Sequence, residues 1–440
     1  MNPKQARYRN VFRFALWLLF CATLVAVACA RIRLLGLPLE RDEGEYAYTG
    51  QLLLQGIPPY KLAYSMKLPG TAASYALLMS IFGDTTTGIH LGLIVINLVT
   101  VGLIFFLGRY LMGELAGVAA AATYGVISLM PYVLGQAAHA THFVVLPAIA
   151  GALVLLRALN RQSRVLIFAS GCLFGLALLM KQPGLFFVLF GVVYLFSRDR
   201  SEHVKLRQAA LRSLIFLLGA TVPLFVTCLL LWNVGVFEKF WFWTIKYASQ
   251  YGSRVSIADG LRIFADKLPN ALGTAWPIWG VAAIGLLMCV VNRTLRTRAV
   301  FLTMFAFFSI LSVCPGFYFR PHYFILVLPA VSLLAGAAVA ALSTLFASAH
   351  RTFALPCSCC SDSLWHGQCG QKETFSLSGR WRKPTEWSMG KIHSRNQVKL
   401  ANTSARNRTH RTRSRYWGRS RKSTFMHSAV RRPGISTPTV

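Results

Sequence analysis

Residues 88–107 read GIHLGLIVINLVTVGLIFFL, twenty consecutive positions without an Asp, Glu, Lys or Arg. A helix rises about 1.5 Å per residue, so this run alone spans the roughly 30 Å hydrocarbon layer of a bilayer. Comparable apolar runs lie at 14–30, 114–134, 143–156, 165–180, 184–196, 213–232, 272–291, 299–315 and 323–347. Ten such segments predict an all-α polytopic membrane protein with about ten transmembrane helices. Composition agrees: 440 residues that are 55% hydrophobic and 14% charged exclude one soluble domain.

Charge orients the spans. Arg157, Arg161 and Arg164 fall in one loop, Arg198, Arg200, Lys205, Arg207 and Arg212 in another, and Arg293, Arg296 and Arg298 in a third. Strict alternation places all three in the cytoplasm, as the positive-inside rule requires. The first run, Phe14–Ala30, follows Lys4, Arg7, Arg9 and Arg13; it is longer than the core of a signal peptide and reads as an uncleaved helix. Thr71–Phe82 is apolar but short, and counting it as a span would move the arginine loops outside. It is therefore expected to lie in the outer interface, within a first extracytoplasmic loop of 31–87 carrying short interfacial helices.

The membrane domain is expected to cover 1–349. From about residue 350 the periodicity, capping signals and turn chemistry stop, and 18 Lys and Arg face only Asp362, Glu373 and Glu386. Such a segment is expected to be a disordered basic tail. A surface for anionic lipid and a nucleic-acid arm compete with a translated wrong frame, and the abrupt change favours the last. Nucleic acid is not an expected partner. The cysteines at 357, 359, 360 and 369 lack paired zinc-site spacing, and the six within apolar runs read as small buried hydrophobes.

The chemistry-bearing stretch is Arg41-Asp42-Glu43-Gly44-Glu45-Tyr46, three carboxylates placed just after the first span in a chain holding only 14 acids. Asp42 and Glu45 have capping-box spacing, with Gly56 before Pro58-Pro59 ending the helix. The other reading makes Asp42 and Glu43 candidate catalytic carboxylates, one of them a base for an incoming hydroxyl. Lys67, Lys181, Arg320 and His322 fall at helix ends on the same side, where lysines and arginines commonly snorkel. Gathered near a carboxylate, they would instead hold a phosphate. His139 and His142 lack a third ligand in nearby sequence, so no metal set is assigned; no cofactor is identified, and a divalent metal stays open. Phe240-Trp241-Phe242-Trp243, followed by Lys246, Tyr247, Tyr251 and Arg254, reads as an aromatic interfacial element, either the common aromatic belt or a surface over which a lipid-linked or sugar substrate slides.

As an ordered set these residues resemble the GT-C membrane glycosyltransferases of the family 39 kind, relatives of protein O-mannosyltransferases and of bacterial lipid A arabinosyl and galacturonosyl transferases. The marks are Asp42-Glu43-Gly44-Glu45-Tyr46-Ala47, Lys67-Leu68-Pro69 leading to Ile81-Phe82-Gly83, Met180-Lys181-Gln182-Pro183, and Phe319-Arg320-Pro321-His322-Tyr323 ending in Leu328-Pro329-Ala330. The resemblance implies inverting transfer of a hexosyl or pentosyl group from a polyprenyl-phosphate sugar to a lipid, glycan or protein acceptor, on the extracytoplasmic face of a bacterial inner membrane. It implies Asp42 as the base, with Lys181 meeting the donor phosphate and Arg320 and His322 in a second polar cluster. Two departures stand out: histidines occupy the loop after the third span, where many members carry an acid, and the basic tail stands where relatives continue. A transporter or lipid flippase is the alternative function, and an inactive truncated homologue a further one.

Overall fold

The computed structural model describes residues 3–353, and the expectations for a disordered or frameshifted tail lie outside the described residues. Every regular element among the described residues is helical. In chain order they are α1 (Pro3–Ile32), α2 (Arg41–Leu54), α3 (Gly70–Phe82), α4 (Thr86–Met112), α5 (Glu114–Ile127), α6 (Ala140–Arg161), α7 (Arg164–Met180) and α8 (Leu185–Ser201). The second half holds α9 (Leu206–Asn233), α10 (Phe237–Trp241), a π-helical turn at Phe242–Tyr247, α11 (Ala248–Gly252), α12 (Ile257–Leu272), α13 (Trp276–Val291), α14 (Arg293–Leu311) and α15 (Leu328–Phe353).

Each of the ten expected spans coincides with one of these helices, namely α1, α4 to α9 and α13 to α15. Six helical segments are long and apolar enough to cross a bilayer by length and composition. The chain is an all-α polytopic membrane protein. Two of the boundaries that move do so beside a proline. The run at 114–134 leaves the helix at Ile127, turns through a 3-10 segment at Pro131–Val133, and holds Leu134 at φ 52°. The run at 323–347 begins as 3-10 helix, Pro321–Leu326, before α15 starts. Both shifts occur where proline removes a backbone donor beside an otherwise apolar run.

Burial separates centre from rim. In α6 and α15, 67% of the apolar window is buried, against 17% in α1 and 22% in α9, so the latter pair faces the lipid. Close approach is made by glycine: Gly171 and Gly175 on α7 meet the carbonyls of Phe216 and Ala220 on α9, and Gly219 of α9 meets that of Phe168. Small residues at such crossings let helices pack without a hydrophobic drive.

The first loop folds as two short helices. The cap of α2 falls two residues earlier than the spacing of Asp42 and Glu45 suggests. Glu40 is the N-cap and accepts from the Asp42 N–H at 2.7 Å, while Glu43 returns to the Glu40 N–H at 2.8 Å. This frees Asp42 and Glu45 from capping. Gly56, at φ 75°, follows the helix end as expected. α3 packs against both α2 and α4, with Tyr75 wholly buried.

The arginine loops share one end of the bundle, since Arg157, Arg198 and Arg298 all act electrostatically on Tyr110. α6 runs from His139 to that end and α7 returns from it to Lys181. His139 and Lys181 thus sit at the opposite end, with α2.

Candidate functional site

At that opposite end lies a cavity of about 390 Å³, lined by Asp42, Lys67, Lys181, Arg320 and His322 among others. Five of the six residues singled out in the sequence line it. Glu43 does not; it is buried behind α2, where its carboxylate accepts from the Ala138 N–H at 2.5 Å and faces His90 Nε2 at 3.3 Å. Neighbours on a helix point about 100° apart, so Asp42 can face the cavity only if Glu43 turns away.

Asp42 enters the cavity with its side chain 12% exposed. Arg41 Nη2 lies 3.2 Å from Oδ1, Lys67 Nζ 3.5 Å from Oδ2, and His322 Nε2 4.0 Å from Oδ2. Burial alone would raise the Asp42 carboxyl, but Lys67 and the bond from Arg41 outweigh it and hold it below the usual carboxylate range. It is ionised at neutral pH.

Lys67 divides its charge. Its ammonium pairs with Glu45 Oε2 at 3.0 Å as well as with Asp42, and it sits 4.3 Å from the Tyr46 ring centre. Ser65 donates to Glu45 at 2.8 Å and fixes the pair. Lys67 therefore has two carboxylates already, whereas a phosphate ligand needs charge to spare.

Lys181 has that charge. It follows α7 in extended conformation, with a 3-10 turn at Gln182–Gly184 behind it. Thr71 Oγ1 donates to the Met180 carbonyl at 2.7 Å, and Gln182 Nε2 to that of Met66 at 2.6 Å, tying the turn to the loop that carries Lys67. The Lys181 side chain rests 4.3 Å from the Tyr323 ring centre and has no anionic partner among the described residues. Burial, then repulsion from Lys67, brings its ammonium down to about 7.

Arg320 approaches from the loop before α15. Its Nη2 donates to Tyr251 Oη at 3.0 Å, and Tyr318 Oη donates to the Tyr251 carbonyl at 3.1 Å with the two rings stacked at 4.7 Å. This aromatic pair steadies Arg320 while leaving its charge unmatched. Tyr323, beside Lys181, is pushed up to about 12 mainly by burial.

The third feature was not legible beforehand. His139 stacks on His322 with ring centres 4.1 Å apart and an interplanar angle of 12°, and one donor atom each from Asp42, His139 and His322 fall within 4.8 Å of one another. The third partner that His139 lacked in nearby sequence arrives from the other end of the chain. Both nitrogens of His139 are buried without a hydrogen-bond partner. Burial lowers His139 to about 4 and His322 further, so both rings are neutral near pH 7. His142, inside α6, stays apart from this set and is likewise buried.

Residues 67–232, well under half of the chain, match the family described as dolichyl-phosphate-mannose-protein mannosyltransferase. No curated protein matches the sequence. The crystal structure of ArnT from Cupriavidus metallidurans bound to undecaprenyl phosphate superposes with a TM-score of 0.52 at 19% identity, covering 77% of this chain and 63% of that one. The archaeal oligosaccharyltransferase AglB from Archaeoglobus fulgidus, in complex with an inhibitory peptide and a dolichol-phosphate, gives a TM-score of 0.46 at 14% identity, covering 79% of this chain and 52% of that one. This chain thus spans less than two thirds of the length of either. The resemblance read from the sequence is borne out at the level of fold: the chain shares the fold of ArnT, and residues 67–232 match the mannosyltransferase family.

Proposed function

We propose that the chain transfers a sugar from a polyprenyl-phosphate donor to the hydroxyl of a lipid, glycan or protein acceptor, with inversion at the anomeric carbon. The observation that carries this reading is one cavity holding an ionised carboxylate opposite two unmatched cations, Lys181 and Arg320. The acceptor oxygen attacks the anomeric carbon from the face opposite the phosphate and forms the new C–O bond. The bond to the phosphate oxygen breaks and its electron pair stays on that oxygen. Asp42 takes the hydroxyl proton. A weak base suffices, because the hydroxyl becomes acidic as its oxygen bonds to carbon. Lys181 and Arg320 meet the charge that grows on the departing phosphate.

Lys67, already paired to Asp42 and Glu45, keeps the base ionised and aimed more than it grips the donor. His322 takes part through Asp42 and His139. These three residues fit a divalent cation. Neither nitrogen of His139 has a hydrogen bond among the described residues, although Nε2 faces Glu40 Oε2 at 3.8 Å, and two neutral imidazoles with one carboxylate suit zinc better than magnesium. A bound cation would supply charge stabilisation at an oxygen in the cavity. A transporter reading gains nothing from a site whose charges collect at one end of the bundle rather than along the spans.

The positive-inside rule favours the arginine end in the cytoplasm and the cavity on the extracytoplasmic face, and the resemblance supports a bacterial inner membrane. In a background without the native cysteines, Tyr64→Cys should react with an impermeant thiol reagent in intact cells and Ser201→Cys should not; both positions are exposed. The reverse pattern inverts the topology. The function itself is tested by incubating membranes that contain the full chain with a panel of radiolabelled polyprenyl-phosphate sugars. Label should pass to an extractable acceptor with the unmodified chain and not with Asp42→Asn. Equal transfer by both would remove Asp42 as base, and none from any donor would remove the reading.

A further inference from the structure

We infer that Glu43 and Tyr75 form a clamp, braced by His90, that positions the turn carrying His139 beneath His322 and Asp42. The inference rests on the transfer reading for its catalytic consequence and on geometry alone for its structural one. Residues 134–139 have no helix of their own: the turn runs from Leu134, at φ 52°, to His139, which is extended at φ −60° and ψ 149°. Backbone bonds within the turn and Arg31, which donates to the Gly135 carbonyl at 3.0 Å, hold its first half; the half next to His139 is held from other elements. Both polar groups of Ala138 are bound by side chains from other elements. Glu43 of α2 takes its N–H, and Tyr75 of α3 donates to its carbonyl at 2.8 Å.

Glu43 is 1% exposed and Tyr75 wholly buried, so neither bond competes with water. The Glu43 carboxylate is filled by its three neighbours: the N–H groups of Ala138 and Glu40, and the His90 ring. His90, at the start of α4, reaches the Leu35 carbonyl with its other nitrogen at 3.1 Å and so braces the carboxylate against the loop between α1 and α2. Side chains of α2 and α3 meet at Ala138, and the residue after it is His139. Glu43 is therefore a positioning residue, and the adjacent pair Asp42-Glu43 divides two tasks between the cavity and its support.

Removing the clamp should loosen His139 without altering the donor cations. Acylation of histidines by diethyl pyrocarbonate, read by mass spectrometry on the full chain in detergent, measures this without donor or acceptor. His139 should be protected in the unmodified chain and in Glu43→Gln, which keeps an acceptor for Ala138. It should become reactive in Glu43→Ala and in Tyr75→Phe, while His142 stays protected in all four. With donor and acceptor present, Glu43→Ala should lower kcat on the order of 10²-fold, as expected for a misplacement of about 1 Å, with the donor KM unchanged and Glu43→Gln restoring most of the rate. Should Glu43→Ala fail to fold, Tyr75→Phe, which removes one hydroxyl, carries the test. Unchanged protection of His139, or equal loss at His139 and His142, overturns the clamp. Reactive His139 with unchanged kcat overturns its catalytic consequence. Absence of transfer by the unmodified chain would sink the function proposed above and leave the labelling to decide the clamp.

Discussion

At the arginine end of the bundle, Asp199 is fully buried and holds Arg212 at 2.6 Å, while Arg198 meets Glu202 at 2.6 Å and Arg13 and Arg109 share Glu114. At the cavity end, Lys181 is 6% exposed and meets no anion among the described residues, and Arg320 finds only the Tyr251 hydroxyl. The buried acid at the first end has its cation, whereas two cations of the cavity have no ion pair among the described residues. Burying an unpaired cation is costly: Arg31, also buried, meets the cost by donating to the Gly135 and Ser128 carbonyls, whereas Lys181 has no such acceptor in reach among the described residues and is open to a ligand that supplies the missing charge. Asp42 and Glu45 attract Lys181 from a distance, but they pair with Lys67, and burial together with repulsion from Lys67 outweighs that attraction. A buried charge with its partner thus reads as architecture, and one without reads as demand.

The largest effect expected from breaking this contrast belongs to Asp42. Loss of a general base lowers a rate by about 10²- to 10⁴-fold, so Asp42→Asn should nearly abolish transfer. Because Glu40 caps α2, the substitution leaves the helix start intact, and the thermal midpoint in detergent should not move. A matched loss of stability and rate would mean that Asp42 serves the fold.

The next effect separates the two ends directly. Arg212→Met leaves a buried Asp199 unpaired and should cost about 1–3 kcal/mol of stability, read as a lower midpoint, with transfer per folded molecule unchanged. Lys181→Met should do the reverse. Stability holds or rises, while kcat/KM for the donor falls about 10- to 150-fold, the equivalent of one charge-assisted contact of roughly 1.5–3 kcal/mol. Arg320→Met should resemble Lys181→Met. Equal destabilisation by Lys181→Met and Arg212→Met would erase the distinction between the ends.

Why some of this was legible beforehand and some was not follows from the range of each signal. The spans follow from local hydropathy, and the placement of Lys181 and Arg320 at one end follows from counting alternations. Asp42 and Glu43 differ by one position, yet one faces the cavity and the other the interior. Spacing can state that they diverge but not which way, since the answer depends on Ala138 and His90 in other elements. Glu45, three residues after Asp42, shares its face and takes up Lys67. The charge on Lys67 looked available for phosphate because its two carboxylates lie in the preceding helix. His139 was visible as a polar residue at a helix start. Its partner His322 lies in another element far along the chain, and no periodicity connects them.

The smallest expected effect is a pair of opposed pH slopes, both arising from Lys181. Its ammonium titrates at about 7 in the fold against 10.5 for an unhindered lysine, with burial as the first cause. Between those values the unfolded chain holds a proton that the folded chain has released, so stability rises with pH across the window, by at most about 1.4 kcal/mol per pH unit. Below about pH 7 both states are protonated and the full burial cost is present. Donor binding moves the other way. Only the cation attracts the phosphate, so donor affinity should fall above pH 7, by no more than about tenfold per unit. A saturating donor should shift the titration upward, since the phosphate favours the charged form. Thermal midpoints and donor affinity, the reciprocal of KM, measured from pH 6 to 10 on the full chain should therefore slope in opposite directions, so that midpoint and KM rise together, and both slopes should flatten in Lys181→Met. If stability and donor affinity decline together with pH, or if Lys181→Met keeps both slopes, then Lys181 is matched by an anion in solution and the cavity end does not differ from the arginine end in the way its geometry indicates.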